Sequence, residues 1–250
     1  MHRKSLFSSE GLDSWLIQKP IAHRGLHSGI DAPENSIVAF QRAVEENYPI
    51  ELDVQLSLDN QLFVFHDEQL KRMTGLQGII QEHDSSTLRT ATLLGTTYHI
   101  PTFDEVLKLI NGKVPLLVEI KNAANNRTLD ELTLKCLSEY SGQFAIQSFN
   151  PFSVTWFRKN APAIIRGMLV SDFKTAPLSY FEKAALRNLL FFKMCQPAFL
   201  SLDVSILNRL PAILARRIGI PIIAWTVRSR ADEEKAKSGA DNFIFEDMTP

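Results

Sequence analysis

From Thr102 to the C-terminus the chain alternates six times between a helix-period segment and a short apolar run. Helices are predicted from Thr102 or Asp104 to Ile110, then at about Leu129–Tyr140, Pro151–Lys159, Leu178–Met194, Ile206–Arg217 and Arg230–Ser238. The runs that follow them are Leu116–Ile120, Phe144–Gln147, Ile164–Val170, Phe199–Leu202, Ile220–Thr226 and Asn242–Phe245. Strands separated by crossovers of this length join in parallel, with the helices outside the sheet.

The N-terminal part adds three more strands. Ile21–Gly25 reads as a short strand running into a turn. It precedes a helix from Ser36 to about Asn47, with Asn35 as N-cap and Ile37, Phe40, Ala43 and Val44 as its apolar stripe. From Ile50 to Leu58 apolar and polar residues alternate without a break, the period of a strand with one apolar face. Asp59-Asn60 then reads as a two-residue turn that returns the chain as Gln61–His66. In that register position i pairs with 119 − i, which sets Asp53 opposite His66, with Glu51 two residues along on the same face.

Of these nine strands the return strand is antiparallel, and eight remain, the number that closes a (β/α)8 barrel. Only seven helices separate the eight, and Ser9–Ile17 is the segment expected to cover the missing one. An open doubly wound sheet is the alternative architecture. The 250 residues suit one such domain, 1–250, and Asp67 to about Thr102, aperiodic and punctuated by Gly75, Gly78, Gly95 and Pro101, is expected to be an inserted lid or pocket wall.

In such barrels the site lies at the carboxyl ends of the strands. The polar residues expected there are His23 and Arg24 after the first strand, Glu51 and Asp53 on the second, Glu119 and Lys121 at the end of the third, and Trp225 near the end of the seventh, with His66 returned by the hairpin. A buried strand such as Leu116–Ile120 folds more easily without its Glu, because an unpaired buried carboxylate is costly. Three converging carboxylates repel unless a cation sits among them, and all-oxygen ligation suits Mg²⁺, Ca²⁺ or Mn²⁺. Two imidazoles supply an acid and a base near neutrality, and Arg24 and Lys121 supply fixed positive charge. Together they describe a site that cleaves a phosphodiester. His27 is more simply a solvated loop residue, and His2, His83 and His99 have no evident partner.

The net charge of −1, with no Lys/Arg run longer than two, points away from nucleic acid. No stretch approaches the ~18 apolar residues of a membrane span, and the N-terminus has no apolar core of a signal peptide. Cys136 and Cys195 read as free thiols of a reducing, cytoplasmic setting.

The chain resembles the glycerophosphodiester phosphodiesterase family. The resemblance runs through Ala22-His23-Arg24-Gly25, Pro33-Glu34-Asn35-Ser36, Glu51-Leu52-Asp53-Val54, Val64-Phe65-His66-Asp67 and Leu70-Lys71-Arg72-Met73-Thr74-Gly75. It continues through Ile100-Pro101-Thr102-Phe103, Val118-Glu119-Ile120-Lys121, Ser148-Phe149 and Trp225-Thr226-Val227. It implies a TIM barrel with a small insertion after the second barrel strand, and hydrolysis of a small-molecule glycerophosphodiester to glycerol 3-phosphate and an alcohol. It also implies one divalent cation, Ca²⁺ or Mg²⁺, held by Glu51, Asp53 and Glu119. His23 and His66 match the acid–base pair, Arg24 and Lys121 the phosphate contacts, and Trp225 a substrate-side aromatic, with Phe149 in the same pocket. Arg228, Asn242, Glu246 and Asn60 depart from the family pattern, and Arg228 is a candidate for altered headgroup preference. Two alternatives stay open: a lysophospholipase D-type or cyclic-phosphate-forming enzyme of the same fold, with Leu189–Phe192 as an apolar cluster, and a non-catalytic phosphodiester-binding barrel.

Overall fold

The computed structural model describes residues 15–122, 125–172 and 190–250. Its nine strands are β1 (Ile21–His23), β2 (Ile50–Leu56), β3 (Leu62–Val64), β4 (Leu116–Ile120), β5 (Phe144–Ser148), β6 (Arg166–Val170), β7 (Phe199–Asp203), β8 (Ile222–Val227) and β9 (Asn242–Phe245). The hydrogen-bonded order is β1-β9-β8-β7-β6-β5-β4-β2-β3, and β1 also pairs with β2. Without β3 the order returns on itself, which is the connectivity of a TIM (β/α)8 barrel and excludes the open doubly wound sheet. Among the described strands, β3 pairs antiparallel with β2. The described residues form two compact units, one within 21–146 and one made of 15–20 with those of 147–250.

In the unit Ile21–Ile146, helix α2 (Ile37–Glu45) follows β1. Its N-cap is Ser36, whose hydroxyl accepts from Ala39 N, and not the expected Asn35. Two cap-capable residues stand in sequence, and one helix needs only one. Asn35 instead takes a left-handed backbone (φ 55°) and turns its side chain elsewhere. Helix α5 (Phe103–Ile110) starts as expected at Thr102, where a capping box with Glu105 satisfies both residues. Helix α6 (Arg127–Ser138) begins at an Asn126 cap, two residues before the expected start.

The hairpin departs from its expected register. Ser57 N bonds Gln61 O at 2.9 Å, so the loop holds three residues rather than two. Of these only Asn60 is left-handed (φ 60°). The Asp59 carboxylate accepts from Ser57 Oγ, Ser85 N and Ser85 Oγ, contacts that suit a right-handed turn followed by one left-handed residue. Pairing becomes 118 − i: Val54 with Val64, Gln55 with Phe63, Leu56 with Leu62. Asp53 therefore lies opposite Phe65, whose N–H bonds its carbonyl at 2.9 Å, and not opposite His66. Beyond Val64 the Gln55 amide donates to the carbonyls of Phe65, His66 and Asp67 and fixes the segment that carries the histidine.

The inserted segment contains helices α3 (Lys71–Thr74) and α4 (Ser85–Leu88) and a 3₁₀ turn at Ile80–Glu82. Phe63, Phe65, Leu70, Met73, Ile80, Leu88, Leu93 and Ile100 bury a core of their own beneath it. This apolar set has no regular period in the chain, because successive short turns, not one helix or strand, deliver it.

In the other unit, α1 (Trp15–Gln18) lies beside β9, with Leu16 fully buried. Asn242 Nδ2 donates to the carbonyls of Leu16 and Lys19, which gives this departure from the family's usual glycine a physical role. The expected helix Ser9–Ile17 falls largely outside the described residues, as does most of Leu178–Met194. Helices α7 (Pro151–Asn160), α8 (Phe192–Cys195), α9 (Leu210–Ile218) and α10 (Arg230–Gly239) are the other helices among the described residues of this unit. α9 starts four residues later than expected, because a 3₁₀ turn occupies Val204–Ile206. Leu190 is 72% exposed, and Leu189 lies outside the described residues.

Candidate active site

Parallel pairing sets the first geometry of the site. His23 on β1 is in register with Glu51 on β2, and Asp53 on β2 with Glu119 on β4. Glu51 and Asp53 are two apart and so share a face. All three carboxylates are buried, and a ligand oxygen from each lies within 4.8 Å of the others. His23 Nε2 is 3.9 Å from Glu51 Oε2.

The turn after β1 brings in the cation. Arg24 (φ 55°) and Gly25 (φ 81°) are both left-handed, and Gly25 passes so close to α2 that a Cβ there would lie 2.8 Å from the Ala39 carbonyl carbon. The turn points Arg24 N at Glu51 Oε2 (3.3 Å), leaves Arg24 Nε 3.6 Å from Asp53 Oδ2, and pairs Arg24 Nη1 with Glu34 Oε1 at 2.7 Å. Lys121, just past β4, sets its Nζ 2.9 Å from Glu119 Oε1 and 3.6 Å from Asp53 Oδ1.

Asn35 completes this group, and sequence reading had used it as a cap. Its Nδ2 donates to Asp53 Oδ2 at 2.9 Å. Asp53 Oδ1 and Asn35 Oδ1 are buried with no hydrogen-bond partner among the described residues. Buried oxygens without a hydrogen bond are costly, and at Asp53 Oδ1 the Lys121 ammonium, 3.6 Å away, offsets part of that cost. The adjacent pair Asn35-Ser36 carried the signal, since the second residue was free to cap.

The charges confirm the strain of the cluster. Burial, then the neighbouring Asp53 and Glu119 charges, push the Glu51 carboxyl well above its ordinary range. Burial also opposes ionisation of Asp53, but His66, Lys121, Arg24 and the Asn35 amide outweigh it and hold Asp53 below its ordinary range. Lys121 is raised despite its burial, by Glu119 and Asp53. The protein's own cations thus favour the ionised form of Asp53, while at Glu51 they do not offset burial and the neighbouring carboxylates. A divalent cation would supply further positive charge, and three buried carboxylates, all oxygen donors, fit such an ion.

His66 is partly exposed, and its Nδ1 lies 2.8 Å from Asp67 Oδ1. A second group of possible ligands, Glu34, His66 and Asp67, also falls within 4.8 Å. It already holds its cations: Arg72 bonds both carboxylates and Arg24 bonds Glu34. Sequence reading gave Glu34, Asp67 and Arg72 no role, although each stands in a motif that carried the family resemblance.

Trp225 and Phe149 lie together in the other unit, rings edge-on at 5.6 Å between centroids, with Trp225 Nε1 donating to Ser201 O at 3.0 Å. In the same unit the two departures Arg228 and Glu246 pair with each other. Cys136 and Cys195 are free thiols, and among the described residues no helix is long and apolar enough to cross a membrane.

Residues 23–249 match the glycerophosphoryl diester phosphodiesterase family. The chain is 32% identical over 241 residues to a glycerophosphodiester phosphodiesterase of Caldanaerobacter subterraneus subsp. tengcongensis, covering 91% of this chain and 93% of that one. Among solved structures it is similar to a glycerophosphodiester phosphodiesterase of Thermotoga maritima, with 26% identity, TM-score 0.68 and coverage of 90% and 92%. It shares its fold with a phosphodiesterase of Oleispira antarctica in complex with the product sn-glycerol-3-phosphate, at 22% identity, TM-score 0.76 and coverage of 92% and 93%.

Proposed function

Because the chain belongs to the glycerophosphoryl diester phosphodiesterase family, a family of phosphoric diester hydrolases, we propose that it cleaves a small glycerophosphodiester to glycerol 3-phosphate and an alcohol, using one divalent cation and two histidines. The observation that carries this reading is the buried group of Glu51, Asp53 and Glu119, which lies beside Arg24, Lys121 and His23.

In this reading Glu51, Asp53 and Glu119 hold Ca²⁺ or Mg²⁺, with Mn²⁺ as a substitute. The ion, when bound, stabilises charge on the phosphoryl oxygens. Arg24 forks onto the two non-bridging oxygens and Lys121 adds a second positive charge beside them. His23 takes the proton from the attacking oxygen as its bond to phosphorus forms. His66 gives a proton to the leaving alkoxide as the other ester bond breaks. Phe149 and Trp225 are read as substrate-side aromatics, as the family resemblance implies. The chain is read as one catalytic domain, and its free thiols suit the cytoplasm.

The test is release of glycerol 3-phosphate, coupled to its dehydrogenase, across a set of headgroups with Mg²⁺, Ca²⁺ and Mn²⁺ compared. Turnover that requires one of the three and stops on chelation supports the reading. Full activity after thorough chelation rejects the cation, and no release from any headgroup rejects the activity.

A further inference from the structure

From the insertion, Arg72 on α3 reaches towards the site and uses four of its five N–H groups. Nε and Nη2 fork onto the two oxygens of Asp67, while Nη1 and Nη2 fork onto the two oxygens of Glu34 at 2.9 and 2.7 Å. Each carboxylate then reaches back. Glu34 Oε1 also accepts from Arg24 Nη1, and Asp67 Oδ1 lies against His66 Nδ1. The result is an unbroken line of five side chains, Arg24–Glu34–Arg72–Asp67–His66. Leu70 and Met73, on either side of Arg72 in the chain, are buried in the insertion's own core, so the guanidinium is presented from a packed base.

We propose that Arg72 is a positioning residue: its two forks lock Asp67 and Glu34, and through them set the ring tautomer of His66 and the placement of Arg24. The physical step is at Asp67. An ionised carboxylate only accepts, so the facing Nδ1 of His66 keeps its hydrogen in both the charged and the neutral ring, and Nε2 is the nitrogen whose proton is exchanged with the reacting group. Asp67 is held well below its ordinary range: burial opposes this, and the His66 bond and the Arg72 bonds and charge outweigh it. Glu34 is lowered in the same way against its burial, by Arg72 and Arg24. The insertion therefore serves the chemistry without touching the phosphoryl group. A lysine in place of Arg72 keeps the charge but cannot make two planar forks.

This inference rests on the proposed role of His66 for its kinetic arm only. The first readout is the His66 ring in ¹⁵N-labelled full-length protein, by two-bond ¹H–¹⁵N correlation, with the signal assigned from its loss in His66→Gln. Wild type should show the hydrogen on Nδ1. Arg72→Ala and Asp67→Ala should lose that single tautomer, and Arg72→Lys should resemble Arg72→Ala. The second readout is turnover, where Arg72→Ala should lower kcat about tenfold or more with KM within about twofold, as wrong-tautomer histidines do in other hydrolases. A purely structural role would lower the melting temperature and leave the tautomer and kcat unchanged. That result, a full rescue by lysine, or an altered tautomer with wild-type kcat each overturns the proposal. A wild-type protein that releases no glycerol phosphate rejects the proposed function instead, and the tautomer still decides the inference.

Discussion

Asp53 on β2 and Glu119 on β4 are register partners on adjacent parallel strands, so their carboxylates leave the same face of the sheet side by side. Lys121 Nζ reaches both, at 3.6 and 2.9 Å. Glu51, two residues from Asp53, completes the group and carries the cost of crowding, as its raised carboxyl shows.

That cost gives a prediction with a sign. The folded Glu51 carboxyl lies above its unfolded value, so folding favours its neutral form. The corresponding stability of the cation-free protein is fully present below the ordinary carboxylate range and is lost as pH rises through the raised value. Glu51→Gln, which keeps an acceptor for Arg24 N, should raise the melting temperature of the chelated protein near neutral pH, by about 2–4 °C for each kcal/mol recovered. It should also abolish the rise in melting temperature that Ca²⁺ or Mg²⁺ gives the wild type. A variant that still gains stability from the ion would show that Glu51 is not a ligand.

Asn35 should matter to cation affinity through Asp53. Asn35→Gly tolerates the left-handed backbone and removes only the amide, so backbone strain is not added. Loss of the Asp53 contact is expected to weaken cation binding by about tenfold, the lower range for groups that orient ligands. Calorimetric titration of the ion into wild type and variant checks this.

His66→Ala and His23→Ala should each keep the fold and lower turnover by about a hundredfold or more. The His66 ring is about one-third exposed, so its removal leaves no large cavity. Circular dichroism and the coupled assay, run on the same samples, separate folding from chemistry. Wild-type rates in either variant would remove that histidine from the mechanism.

Gly25→Ala combines two penalties, a left-handed backbone (φ 81°) and a Cβ 2.8 Å from backbone carbon of α2. The expected loss is about 2 kcal/mol or more of unfolding free energy, measured by urea denaturation. Gly75 is also left-handed, yet a Cβ there meets nothing within 4 Å. Gly75→Ala should therefore be the milder change.

Pattern and spacing were enough to mark eight parallel strands with one return strand and to single out the three crowded carboxylates, while closure into a barrel rests on the β1–β2 pairing. Alternation with period two on β2, continuous apolar runs elsewhere and helix-length crossovers leave few ways to bury the apolar faces. A Glu inside Leu116–Ile120 was conspicuous because burial makes such a residue costly. What the tertiary structure decided were contacts that no period encodes. The hairpin loop holds one residue more than expected, with Asp59 bonded to Ser85, 26 residues away, and that register sets Asp53 opposite Phe65 and not His66. Asn35 became a partner of Asp53 because Ser36 could cap α2 in its place. Arg72 meets Glu34, 38 residues distant, from a helix that Leu70 and Met73 anchor in the insertion's irregular core. Local patterns report which face of an element is buried; which distant side chain meets it is set by register, turn geometry and packing, which act through space rather than along the chain.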